Sequence, residues 1–76
     1  MAKKLKLIDT ATLTKFRKGL GMDQTSFWAR VGVNQSAGSR YETGRRVSRP
    51  ITLLLTVAYG KDEDATRLVE ALRGRE

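Results

Sequence analysis

The sequence predicts an all-α fold built from five short helices. Apolar residues recur three and four positions apart in segments of roughly ten residues, the spacing of a helix with one buried face. Good helix caps open the first three segments (Asp9 or Thr10, Asp23, Asn34), and glycines close most of them. The chain has no cysteine, so disulfides cannot staple it, and a fold this small then relies on helix packing or on oligomerisation. With 76 residues it holds one small domain. Such a domain hides only about 60% of the surface its unfolded chain exposes, so a partner subunit would help.

Residues 1–8 read as a basic arm, and Lys4-Leu5-Lys6-Leu7 alternates as a short edge strand would. A single domain is expected over 9–76. Its first helix spans about Thr10 to Lys18, with Leu13, Phe16 and Leu20 as apolar face and Gly19 and Gly21 as stop. The second follows Asp23, carries Phe27, Trp28 and Val31, and ends at Gly32. The third follows Asn34, runs to about Thr43 and is closed by Gly44. Arg45 to Arg49 form a basic loop. Pro50, preceded by Ser48 or Arg49, falls in the first turn of the fourth helix, which carries Leu53, Leu54, Val57 and Ala58 and ends at Gly60. The fifth starts near Asp62 with an acidic first turn and has Arg73 and Arg75 at its end, a match to the helix dipole. Leu68, Val69 and Leu72 give it an apolar face.

A net charge of +7 and a pI near 10.4 favour an anionic partner: nucleic acid, acidic lipid or acidic protein. The charge is uneven, +5 over residues 1–18, +3 over 35–50 and −1 over 61–76. The lysines at the N-terminus are those of a signal peptide, but the apolar stretch after them is too short and is broken by Lys6 and Asp9. Ile51 to Tyr59 is too short to span a bilayer. A soluble cytoplasmic protein without membrane contact is expected. The absence of cysteine and histidine removes the usual thiolate and imidazole chemistry. No phosphate loop, paired-carboxylate or metal-spacing motif appears. Neither an enzyme nor a metal, cofactor or small-molecule site is expected.

The informative stretch is 24–43. Two short helices are separated by Gly32-Val33-Asn34, the layout of a helix-turn-helix, whose second helix enters the major groove and reads bases through its N-terminal residues. Leu20-Gly21-Met22-Asp23-Gln24 precedes helix two, Val31-Gly32-Val33-Asn34-Gln35-Ser36 forms the turn, and Ser39-Arg40-Tyr41-Glu42-Thr43-Gly44-Arg45-Arg46 follows. In these pieces the chain resembles the phage-repressor and Cro-like helix-turn-helix proteins, the XRE family, over about residues 10–60. The resemblance implies a lambda-repressor-like fold. It implies that Gln24 and the start of helix two hold a phosphate, that Gln35 and Ser36 touch base edges, and that Arg40 reaches guanine or a phosphate. Ser39 is implied as a backbone contact, and Arg45, Arg46 and Arg49 as the loop along the phosphates. Arg17 and Glu42 fall where some relatives lock helix one to helix three with a salt bridge.

Two positions depart from the family, which has a small residue where Trp28 stands and Val or Ile where Gly38 stands. A compensating swap is expected, the indole filling the space above the glycine, with total volume conserved. Trp28, Tyr41, Phe16, Leu53 and Leu54 are expected in the core. The arm is either a DNA contact or a solubilising tail, and helix five either core cover or a dimer contact.

The resemblance implies sequence-specific binding to duplex DNA by a homodimer, as a repressor on a near-palindromic operator, in a bacterial or phage-encoded, nucleoid-associated protein. The alternative is an antitoxin-type interaction protein that binds a toxin partner and its own promoter. Non-specific coating of nucleic acid needs the charge but not the polar helix start, and ranks last.

Overall fold

The computed structural model describes residues 5–75. It is helical, with no strand among the described residues. Packing divides it into two compact units, one of Asp9–Ser48, the other of residues 5–8 with residues 49–75.

In the first unit, the Asp9 carboxylate accepts from the Ala11 N–H at 2.9 Å and opens a 3-10 turn, Thr10–Thr12, that runs into α1, Leu13–Gly19. Helix one thus begins where the sequence indicates, but its first turn is tighter than an α-helix. Gly21 reverses the chain at φ 71°, a conformation that glycine adopts without strain. Asp23 caps α2, Gln24–Ala29, through the Ser26 N–H at 3.0 Å. The turn passes through Gly32 at φ 76°. Asn34 then caps α3, Gln35–Glu42, through the Ala37 N–H at 2.9 Å. The core of this unit is Leu13, Phe27, Trp28, Val31 and Val33. Phe27 meets Phe16 and Trp28 edge-on, at centroid distances of 6.5 and 5.3 Å. Tyr41 lies tilted against Trp28 at 5.3 Å.

The second unit pairs α4, Arg49–Tyr59, with α5, Asp62–Leu72. Leu55, Thr56 and Leu68 are its buried residues. The Thr56 hydroxyl donates to the Thr52 carbonyl at 2.8 Å and accepts the Ile8 N–H at 3.0 Å, which ties residues 5–8 to α4. This corrects the edge strand. With no strand to supply a ladder, the Ile8 N–H takes a side-chain oxygen instead, while Lys4 lies outside the described residues, as does Lys3.

The expected core also shifts. Leu20 is 49% exposed, because it sits one residue past the end of α1 beside the reversal at Gly21. In α4 the buried residues are Leu55 and Thr56, while Leu54 (48% exposed), Val57 and Ala58 face outward and Leu53 is half-buried. Leu72 is 63% exposed, so the apolar face of α5 is Leu68 with Val69. Phe16 and Tyr41 are half-buried. Among the described residues, no helix is long and apolar enough to cross a membrane.

Candidate nucleic-acid interface

The pair α2–α3 has helix-turn-helix connectivity, and one contact governs how the two helices meet. Trp28 on α2 is fully buried, and its indole lies against the backbone of α3 at Gly38. A Cβ on Gly38 would overlap ring atoms Cγ and Cδ1 and lie 2.9 Å from Cδ2. Glycine therefore lets α3 sit closer to α2 than any other residue would, at a propensity cost of roughly 1 kcal/mol relative to alanine.

Four residues on from Gly38, Glu42 turns inward and gathers donors from α1 and α2. Its Oε1 accepts from the Thr14 hydroxyl and from Arg17 Nη2, both at 3.0 Å; its Oε2 accepts from Arg17 Nε at 3.0 Å and from the Trp28 indole N–H at 2.6 Å. A carboxylate offers about four lone-pair positions, and these bonds match that number, with Gln24 adding a smaller pull. Arg17 also donates to the Met22 carbonyl at 2.9 Å, extending the network into the α1–α2 turn. The Glu42 side chain is 4% exposed and that of Arg17 12%. Burial by itself would push the Glu42 carboxyl up, but hydrogen bonds from Arg17, Trp28, Thr14 and Gln24 outweigh it and hold the group below the usual glutamate range. The hydrogen bond to Glu42 likewise raises Arg17 above its ordinary value, against the opposing effect of burial. Hydrogen bonds from Ser26 lower Asp23, the cap of α2.

With Gly38 and Glu42 facing inward, a helix of 3.6 residues per turn points Ser36 and Arg40 the opposite way. Both are exposed, as is Gln35 at the first position, while Ser39 is half-buried on the flank. Gln35, Ser36 and Arg40 make no side-chain hydrogen bond or ion pair with any described residue. Ser36 and Arg40 therefore share the outward face of α3, and Gln35 is exposed at its N-terminal end. Arg45 and Arg46 follow α3 beyond Gly44, which has φ 118°. Both are exposed and line a cleft of about 220 Å³ with Thr10, Thr14 and Tyr41. Arg49, also exposed, is the first residue of α4 in the other unit. Gln24, expected to hold a phosphate, is half-buried at the start of α2 and is among the groups that lower Glu42.

The pairing of Arg17 with Glu42 was legible in the sequence; the roles of Trp28 and Thr14 as further donors to Glu42 were not. A signal existed, since a buried tryptophan nearly always finds a partner for its N–H. Among the described residues no three His, Cys, Asp or Glu side chains cluster as a metal site.

Two capped helices in this connectivity, with an exposed polar face on the second, define a DNA-binding regulator of the helix-turn-helix type. The RsaL-like helix-turn-helix domain matches residues 14–58, and the chain belongs to that family; the resemblance to Cro-like repressors is consistent with it. Neither the curated proteins nor the solved structures contain a match to the chain.

Proposed function

We propose that the chain is a transcriptional repressor that binds a near-palindromic operator as a homodimer and reads bases with Gln35, Ser36 and Arg40. The observation that supports this most is α3 itself: Ser36 and Arg40 are exposed on the side opposite Gly38 and Glu42, Gln35 is exposed at the helix's first position, and none of the three is engaged within the described protein. Gln can bond adenine at N6 and N7, and Arg can bond guanine at O6 and N7. One such helix covers too few base pairs to find a site in a genome. Two copies with recognition helices about 34 Å apart would double the readout and demand an inverted repeat. Gln24, Ser39, Arg45, Arg46 and Arg49 would hold phosphates, and the binding module would span 9–76. An operator overlapping a promoter would then exclude polymerase.

The test is selection of sites from random duplex DNA by the purified protein at about 150 mM salt. An enriched inverted repeat with half-sites about one turn apart is the expected result. Arg40→Ala should relax specificity at one position of each half-site. Arg45→Ala should weaken all sequences alike and reduce the salt slope by about 1. Failure to enrich any sequence would sink the proposal. A stoichiometric partner protein in a native pull-down would then favour the antitoxin-type reading, to which the exposed apolar side chains Leu54, Val57 and Leu72 lend support.

A further inference from the structure

The Trp28 indole touches α3 at two places by two kinds of interaction. Its ring faces the Gly38 backbone in the middle of the helix, and its N–H bonds Glu42 Oε2 at 2.6 Å at the helix's last residue. A ring contact alone limits how close the helix comes but lets it roll. A directional bond one turn further along removes the roll, because hydrogen bonds weaken steeply once bent or stretched. We propose that Trp28 is a positioning residue for base reading: one indole, seated on Gly38 and bonded to Glu42, sets the rotation of α3 and so the direction in which Ser36 and Arg40 project. This inference rests on the reading of α3 as the base-reading helix.

Geometry explains why rotation matters. Ser36 and Arg40 lie opposite the anchored side, so a roll of α3 about Gly38 moves them along an arc across the base edges. Bidentate contact to a base tolerates little of this. Phosphate contacts from the loop at Arg45 and Arg46 tolerate more, since those side chains are long and a phosphate has several acceptor oxygens. Losing the indole N–H should therefore harm selective binding far more than non-selective binding.

The decisive variant keeps the ring and deletes the donor: Trp28 replaced by 3-benzothienylalanine in the chemically synthesised full chain, where sulfur stands for the N–H. In protein shown to be folded by its thermal transition, binding to the selected duplex should weaken about tenfold or more, and binding to random duplex should change less than twofold. A merely structural role predicts an unchanged ratio of the two affinities, and that result in a folded variant overturns the inference.

A second measurement uses the natural side chain and needs no DNA. Trp28 is the chain's single tryptophan, so one indole N–H resonance reports its bond. Acid titration should move this resonance with a midpoint below the ordinary 4.5 of glutamate, and the amides of Ser36 to Arg40 should move with the same midpoint. Asp23 acts on Arg17 and, with Ser26 lowering it, is also an acid-titrating group, so the titration is run in an Asp23→Asn background. Amides of α3 that stay still while the indole moves would overturn the inference. Absence of selectivity in the unmodified protein would instead refute base reading by α3, and the titration would still decide whether Trp28 governs the helix.

Discussion

Residues 9–48 bury a carboxylate and saturate it with donors from two other helices, whereas residues 49–75 bury Leu55, Leu68 and one threonine hydroxyl and hide no charged side chain. Both units hold short helices, yet they hold them differently. Apolar contact in α4–α5 is non-directional and leaves a helix free to settle within a range of rotations. The Arg17–Glu42–Trp28 network is directional, and its desolvation cost is recovered only when every bond is made. The costly, orienting device, a buried carboxylate, stands behind the helix that presents Gln35, Ser36 and Arg40, while α4–α5 buries Leu55, Leu68 and the Thr56 hydroxyl.

Trp28→Ala should be the most damaging single change. It removes the largest buried side chain and one of the four bonds to Glu42, and tryptophan truncations of this kind cost about 3–5 kcal/mol. For so small a domain that approaches the whole stability, and loss of the cooperative thermal transition is the expected readout. If indole and glycine are a compensating pair, adding Gly38→Ile should recover part of the loss. A double variant no better than Trp28→Ala alone would show that the ring's contact with Gly38 is incidental.

Arg17→Met should follow, at about 3 kcal/mol, the lower end for breaking a buried ion pair, because Thr14 and Trp28 still serve Glu42. The same network sets an acid limit. Glu42 is depressed in the folded chain, so its contribution is fully present above about pH 4.5, its ordinary value, and is lost as pH falls through the lower folded value. Urea melts at pH 7 and pH 3 should show a loss on acidification that is smaller in Glu42→Gln. An equal loss in that variant would place the acid sensitivity elsewhere.

The contrast also explains what could be read in the sequence. The three caps, Asp9, Asp23 and Asn34, were legible because capping is local chemistry: a short polar side chain reaches N–H groups two or three residues on. The reversals at Gly21, Gly32 and Gly44 follow from glycine's access to positive φ. The closeness of Trp28 and Gly38 could be suspected because one position is unusually large and the other unusually small. Glu42's four donors could not be foreseen in full, since they depend on three helices meeting at one point. The buried side of α4 was illegible for another reason. Ile51, Leu53, Leu54, Leu55, Val57 and Ala58 spread over an arc of about 200°, and the buried side, Leu55 with Thr56, lies at the edge of that arc next to the threonines, where apolar periodicity does not point.

That placement yields the smallest and most discriminating prediction, because it separates two neighbours of identical chemistry. Leu55 is fully buried and Leu54 is 48% exposed. Leu55→Ala should cost about 2–5 kcal/mol through lost burial and a residual cavity. Leu54→Glu, the more drastic change on paper, should stay within about 0.5 kcal/mol, as exposed substitutions do. Denaturant midpoints of the two variants at equal protein concentration test the pair. Glutamate at 54 adds a negative charge to a chain of net charge +7, which slightly reduces self-repulsion, so a small gain would fit the same picture. A large loss at 54 would mean that α4 is turned by about 100° from the orientation described, since that is the angle between successive residues on a helix. The burial of Thr56 and its bond to Ile8 would then fail with it, and residues 5–8 would lose their attachment to α4.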